Sequence, residues 1–250
     1  MTTPLLSFLD VSKRYPDGGR EKVVLDRVSL EIDAGFSVGV YGARRSGKST
    51  LLRMAAGIVL PDSGTVRFEG REMARMTGSE RGRLLRGAIA FMAAGDWRAN
   101  PRESVAEHVA TSLGSEGLTM REAKRRALRI LDEVGVGAAG AEEMTASLSL
   151  ADRTRVMLAR ALAREPRLLV LDESALMPNI GDRERFHALL RSAARERGMA
   201  LLVASEEMSA AQGFGVLMSI SDGELCSSES HGTVVRLPGR RAAGSERSGQ

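Results

Sequence analysis

Gly42-Ala43-Arg44-Arg45-Ser46-Gly47-Lys48-Ser49 constrains the fold of this 250-residue chain more than any other stretch. The octet satisfies GxxxxGK[ST], a pattern that carries weight only between a strand and a helix. Both flanks fit. Phe36-Ser37-Val38-Gly39-Val40-Tyr41 precedes it as a short β-rich run, and Thr50 to Ala56 follows as an apolar helical segment closed by Gly57. Such an order gathers successive backbone N–H groups and a helix N-terminus around one point, where phosphate oxygens can be wrapped closely. Lys48 then supplies a point charge to the outer phosphates, and the Ser49 hydroxyl a ligand to Mg²⁺.

A complementary element lies at Leu168-Leu169-Val170-Leu171-Asp172-Glu173. Four apolar residues describe a strand buried on both faces. Two carboxylates leave its C-terminal end, where ligands gather in open α/β sheets. Asp172 is placed to hold Mg²⁺ and Glu173 to polarise an attacking water. Around these motifs, Leu5 to Val11 and Val23 to Ile32 read as strands separated by the turn Pro16-Asp17-Gly18-Gly19. Thr65 to Phe68, Ala88 to Met92, Ala200 to Ala204 and Val216 to Ile220 read as further strands. Between Pro101 and Met144 the periodicity becomes helical, with Ala123, Ala127, Leu128, Leu131 and Val134 on one face and Gly135 and Gly137 as a stop. Arg153 to Arg164 and Arg183 to Arg197 read as two more helices. The alternation predicts a covered α/β sheet with a helical insertion.

Composition narrows the function classes. Hydrophobic residues at 43% and charged residues at 27% describe a folded globular chain. The longest apolar runs fall far short of the ~18–20 residues of a membrane span, and Met1-Thr2-Thr3-Pro4 lacks the form of a secretory signal. A cytoplasmic protein is expected. Cys226 is the only cysteine, so a disulfide framework is excluded within one chain. The net charge of +4 invites a nucleic-acid reading, yet Asp and Glu interleave with Arg nearly everywhere, and no nucleic-acid partner is expected. His108, His187 and His231 share no metal-binding spacing. After Leu237 a Gly-, Arg- and Ser-rich tail has too little apolar content to fold.

The chain resembles the nucleotide-binding subunit of ATP-binding cassette (ABC) transporters. The two motifs carry that resemblance, together with Leu148-Ser149-Leu150-Ala151-Asp152-Arg153 and its helical continuation, Val28-Ser29-Leu30-Glu31-Ile32, and Pro61-Asp62-Ser63-Gly64. The resemblance implies an α/β fold with a P-loop NTPase (RecA-like) core, an N-terminal antiparallel β subdomain and a helical insertion subdomain. It implies one domain over 1–237, its helical part at about 95–165, and a disordered tail at 238–250. ATP and Mg²⁺ are the implied cofactors. Gly42, Ala43, Arg44, Arg45, Ser46, Gly47, Lys48, Ser49 and Thr50 would bind nucleotide, Tyr15 would stack on adenine, Ser49 and Asp172 would hold the metal, and Glu173 would be catalytic. The implied partners are a transmembrane permease and a second cassette subunit, expected to be a different chain, with this one peripheral on the inner face of the cell membrane.

The departures from the family pattern are as informative. Leu150, Ala151 and Asp152 stand where the family's LSGGQ segment has two glycines and a glutamine, and that segment caps the γ-phosphate held on the opposite subunit. Ala94 replaces the glutamine after the Ala88–Ala93 strand, Asn179 an aspartate, and Glu206 the switch histidine. Arg45 replaces a customary glycine. A carboxylate ~4 Å from a like charge is repelled by about 4 kcal/mol at an effective dielectric near 20, so Glu206 is expected to turn away or protonate beside a γ-phosphate. These changes imply slow, partner-dependent hydrolysis, or a nucleotide-binding subunit that does not hydrolyse. Trp97 lies where the family receives a short helix of the membrane subunit, and is either an interface anchor or packed beneath the helical insertion.

Overall fold

The computed structural model describes residues 3–114, 117–173, 176 and 180–227. The chain opens with β1 (Leu6–Asp17) and β2 (Arg20–Ile32), antiparallel and joined by Gly18 and Gly19. Both glycines take positive φ, 57° and 84°, as a two-residue hairpin turn requires. The turn is therefore two residues shorter than the sequence suggests, and Pro16 and Asp17 extend β1. Then come β3 (Ser37–Tyr41), α1 (Lys48–Ala55), β4 (Ser63–Phe68), β5 (Arg71–Glu72), α2 (Gly78–Arg86) and β6 (Ile89–Ala93). A helical stretch follows with α3 (Val105–Thr111), α4 (Met120–Glu133), α5 (Ala138–Glu142) and α6 (Leu150–Leu162). The chain ends with β7 (Leu168–Asp172), α7 (Ile180–Arg197), β8 (Ala200–Ser205), α8 (Met208–Ala211), β9 (Val216–Ser221) and β10 (Glu224–Ser227).

Two sheets result. One is antiparallel, in the order β2-β1-β4-β5, and the other runs β10-β9-β3-β8-β7-β6, parallel except for β10 at its edge. Successive side chains of a strand point to opposite faces, and the core is divided accordingly. Leu168, Val170, Leu202 and Ala204 face α1 and the antiparallel sheet, while Leu169, Leu171, Leu201 and Val203 face the helical stretch and α7. Both faces of β7 and β8 are covered, which explains their unbroken apolar sequences.

Local chemistry sets the helix limits. Capping boxes start α2 at Thr77/Glu80, α3 at Ser104/Glu107 and α4 at Thr119/Glu122. Ser149 caps α6, so that helix begins three residues before the expected Arg153. In α4 the expected apolar face is corrected at one position. Leu128 is exposed, and Ile130 takes its place in the core.

Strand register positions the site. Tyr41 pairs with Ser205, Ala204 with Asp172, and Asp172 with Ala93. The C-terminal ends of β3, β8, β7 and β6 thus finish side by side, and the loops leaving them share one edge of the sheet.

Candidate functional site

The loop between β3 and α1 is shaped by its neighbours. Gly47 sits at φ 108°, and a Cβ there would lie 2.6 Å from the Val24 carbonyl oxygen. A Cβ on Gly42 would lie 2.4 Å from the Ile220 carbonyl oxygen. Arg45 also takes positive φ, at 64°, a conformation costing a non-glycine residue roughly 1–2 kcal/mol. The start of α1 has no side-chain cap, leaving its first N–H groups open to an external anion.

Lys48 is 5% exposed. Its Nζ donates to the carbonyls of Gly42, at 2.6 Å, and Ala43, at 2.7 Å. Burial lowers its pKa below the ordinary lysine value, and the carboxylates of Glu206 and Asp172 pull it partly back up. Ser49 Oγ donates to Asp172 Oδ2 at 2.6 Å, joining the first turn of α1 to the end of β7. Two hard oxygen donors side by side fit Mg²⁺, which takes one or two protein oxygens and completes its shell with phosphate and water. Lys48 and Ser49 border a cavity of about 730 Å³, within the size range of small-molecule sites. Arg44, Arg45, Gly47, Lys48, Ser49 and Thr50 line it from one side, and Lys22, Val24 and Glu206 close it from others.

Tyr15 is half exposed and does not line the cavity itself, but it lies directly across from Lys22, which does. The Lys13 ammonium stands 5.5 Å from its ring centroid. Glu206 lies at the cavity wall, with Oε1 3.8 Å from Arg44 Nε. The Glu173 backbone N–H donates to the Ala204 carbonyl at 3.0 Å. Its carboxylate turns away from the cavity toward α7, where Oε1 lies 3.0 Å from His187 Nε2 and 3.7 Å from Arg183 Nε. Ala94 opens a single 3₁₀ turn after β6. Asn179 and His231 lie outside the described residues, as does the 238–250 tail.

At the start of α6, Ser149 Oγ accepts from the Asp152 N–H at 3.1 Å and donates to Asp152 Oδ2 at 2.6 Å. Arg155 Nη1 binds Asp152 Oδ1 at 2.9 Å. Leu150 is 46% exposed. Trp97 packs within the molecule, its ring 5.3 Å from His108 and 5.8 Å from the Arg153 guanidinium, which favours the second of the two sequence readings.

Sequence reasoning missed Lys22, Val24, Arg183 and His187. Register could have found Lys22, since a two-residue hairpin puts it opposite Tyr15. No local signal marks His187, fourteen positions after Glu173.

A phosphate-binding loop joined through its serine to the carboxylate ending a neighbouring parallel strand defines the class of P-loop nucleotide-binding proteins. Within that class, the family described as "ABC transporter" matches residues 25–175. The lipoprotein-releasing system ATP-binding protein LolD 2 of Caulobacter vibrioides is 31% identical over 90% of this chain and 98% of its own length. The methionine import ATP-binding protein MetN of Rhizobium etli is 33% identical over 87% of this chain and 58% of its own. Among solved structures, the dimeric MJ0796, a bacterial ABC transporter cassette, superposes with a TM-score of 0.80 at 25% identity, over 88% of this chain and 96% of that one. The chain belongs to the ABC transporter family, as an ATP-binding cassette subunit with that family's α/β fold.

Proposed function

We propose that this subunit binds MgATP on residues 42–50 and hydrolyses it slowly, as one member of a cassette pair driving a separate membrane permease. The observation that carries the reading is the 2.6 Å Ser49–Asp172 hydrogen bond beside the uncapped start of α1. Gly42 to Gly47 wrap the phosphates with backbone N–H groups, and Lys48 leaves the Gly42 and Ala43 carbonyls to meet the outer oxygens. Tyr15 stacks on adenine at the rim, a contact worth roughly 1–3 kcal/mol by analogy with base stacking elsewhere. Ser49 and Asp172 hold Mg²⁺, which when bound neutralises phosphate charge. Glu173 orients the attacking water once it has swung out from α7.

Slow turnover follows from the altered switch residues. At α6 the carboxylate of Asp152 already lies in the first turn of the helix, so a phosphate from a partner subunit would meet a charge of its own sign there. Glu206 adds a second carboxylate at the cavity, and Ala94 and Asn179 lack the groups their positions have in the family. A second reading, a non-hydrolysing subunit paired with an active cassette, is favoured by the burial of Glu173. We favour a pair with a different chain, since a partner with an intact signature would complete this chain's site.

The permease is proposed to dock at a smaller cavity of about 290 Å³ lined by Met92, Asp96, Arg160 and Arg164, next to Ala94. No helix among the described residues is long and apolar enough to cross a membrane, and docking would hold the chain on the inner membrane face. We assign 1–237 to the cassette, with 95–165 as its helical part and 238–250 as a tail. LolD and MetN, named for lipoprotein release and methionine import, are similar to this chain to nearly the same degree, which supports placing cargo choice in the membrane subunit. Calorimetry tests the reading directly: saturable MgATP binding is expected, and no binding at millimolar ATP would overturn it.

A further inference from the structure

The Glu173 carboxylate is buried at 6% exposure, and the His187 side chain that faces it at 5%. Among the described residues, neither oxygen of Glu173 nor His187 Nε2 has an aligned hydrogen-bond partner, although the two groups approach to 3.0 Å. Arg183 is the other cation at hand. Its Nε lies 3.7 Å from Glu173 Oε1, but its Nη2 is committed to Glu207 Oε2 at 2.7 Å. The His187 ring is fixed from behind by the Phe214 ring, in an edge contact at 5.0 Å, and Phe186 stands 6.5 Å away.

A carboxylate in this pose cannot touch a water in the nucleotide cavity. We infer that His187 is a positioning residue that holds Glu173 withdrawn against α7, and that breaking this contact is a step toward the hydrolysing state. The inference rests on the reading of Glu173 as the group that orients water. The imidazole is the polar neighbour nearest the buried carboxylate, and its loose alignment makes the contact easy to leave. An apolar residue in its place would leave the carboxylate to Arg183, which stands 3.7 Å away and is shared with Glu207. A poorly compensated buried charge is costly, which favours the side chain turning out toward the cavity beside Asp172. His187 thereby sets how often Glu173 is available and touches neither nucleotide nor water itself.

Two arms test this on the full chain. In steady-state ATP hydrolysis, His187→Leu is expected to raise kcat at least threefold with KM for ATP within twofold of wild type. His187→Gln, which keeps an N–H near the position of Nε2, is expected to stay close to wild type. An unchanged or lowered kcat in His187→Leu would overturn the inference. The second arm does not depend on turnover or on the stability of the leucine variant. The chain has three histidines, so their ring ¹⁵N resonances can be assigned by substitution. Glu173→Gln should move the His187 resonances in nucleotide-free protein, and a non-hydrolysable ATP analogue with Mg²⁺ should move them in wild type. His187 resonances indifferent to Glu173→Gln would refute the contact. Resonances indifferent to an analogue that calorimetry shows bound would refute the release. An analogue that does not bind at all would count against the nucleotide site, with the Glu173→Gln comparison still judging the contact.

Discussion

Two helix starts in this molecule carry opposite solutions to the same physical problem. Every α-helix begins with N–H groups that have no partner inside the helix. At α1 nothing from a side chain answers them. Gly47 instead takes a left-handed turn that brings the chain in tightly, and the space in front opens into the 730 Å³ cavity. At α6 one of these groups, the Asp152 N–H, is bonded by Ser149 Oγ. The Asp152 carboxylate, which accepts from that hydroxyl and pairs with Arg155, places a negative charge in the first turn. A helix start built to receive an anion is left uncapped, whereas one that is capped and carries its own carboxylate gains stability and loses appetite for an anionic ligand. Both segments resemble family motifs in sequence, so the resemblance alone does not distinguish them. What each does with its own N–H groups does.

The largest effects are expected where the uncapped start is damaged. Gly47→Ala forces a left-handed residue to carry a Cβ against the Val24 carbonyl. The strain alone is about 1–3 kcal/mol, and calorimetry should detect no MgATP binding. Lys48→Ala spares the backbone and removes the charge, so MgATP binding should weaken at least tenfold, about 1.4 kcal/mol. Retained affinity in both variants would show that α1 is not where the phosphates sit.

The converse experiment opens the capped start. Leu150→Gly, Ala151→Gly and Asp152→Gln together remove the crowding side chains and the internal carboxylate from α6. In a pair with an active cassette, hydrolysis at the partner's site should rise about fivefold, roughly 1 kcal/mol in activation free energy. Glu206→His acts on this chain's own cavity, and the two gains should add nearly independently, being in separate sites. A triple variant with unchanged or slower turnover would mean that the self-capped α6 is not what limits hydrolysis.

The same contrast explains what the sequence discloses and what it hides. The phosphate loop is legible because its chemistry is local. Gly42, Gly47, Lys48 and Ser49 lie within eight residues, and the strand and helix flanking them are legible from the same stretch. Asp172 is legible for a similar reason, as the first charge after an apolar run. The parallel sheet shows through strands such as Leu168 to Leu171, which are apolar because both faces are covered. Helix α2 escaped notice although Thr77 and Glu80 form its capping box, because none of its residues is buried and it has no apolar stripe. The direction of Glu173 was illegible in principle. It depends on α7 packing against β7, a long-range contact that brings His187 within reach without any periodic or spacing signal.

A smaller effect separates the two starts by stability rather than by binding. Ser149→Ala removes the cap of α6, and thermal or denaturant unfolding should show a loss of about 1 kcal/mol. The serine beside α1 behaves differently. Ser46 Oγ is buried without a hydrogen-bond partner among the described residues, so Ser46→Ala should change stability by less than about 0.5 kcal/mol. Equal losses in both variants would mean that the start of α1 is capped in solution after all.

The smallest expected effect concerns how the two helices are anchored along their length. Helix α1 is held by apolar burial, with Leu51, Leu52, Met54 and Ala55 fully covered. Helix α6 adds a polar tie, in which Arg160 Nη1 lies 3.1 Å from His108 Nε2 and His108 Nδ1 lies 3.2 Å from Glu103 Oε2. Arginine can only donate, so Nε2 accepts and Nδ1–H donates, and the tie is made by the neutral ring. Burial, followed by the Arg160 charge, lowers the His108 pKa below its ordinary 6.5, with Glu103 opposing. In the window between that folded value and 6.5, the unfolded chain binds more protons than the folded one, so stability falls as pH drops through it. Native-state hydrogen exchange, corrected for intrinsic rates, should show α6 losing protection between pH 7 and the acid side of this window while α1 changes less. His108→Asn should remove the difference between the helices. Parallel loss of protection in α1 and α6 in wild type would place the acid sensitivity elsewhere than in the neutral His108 ring.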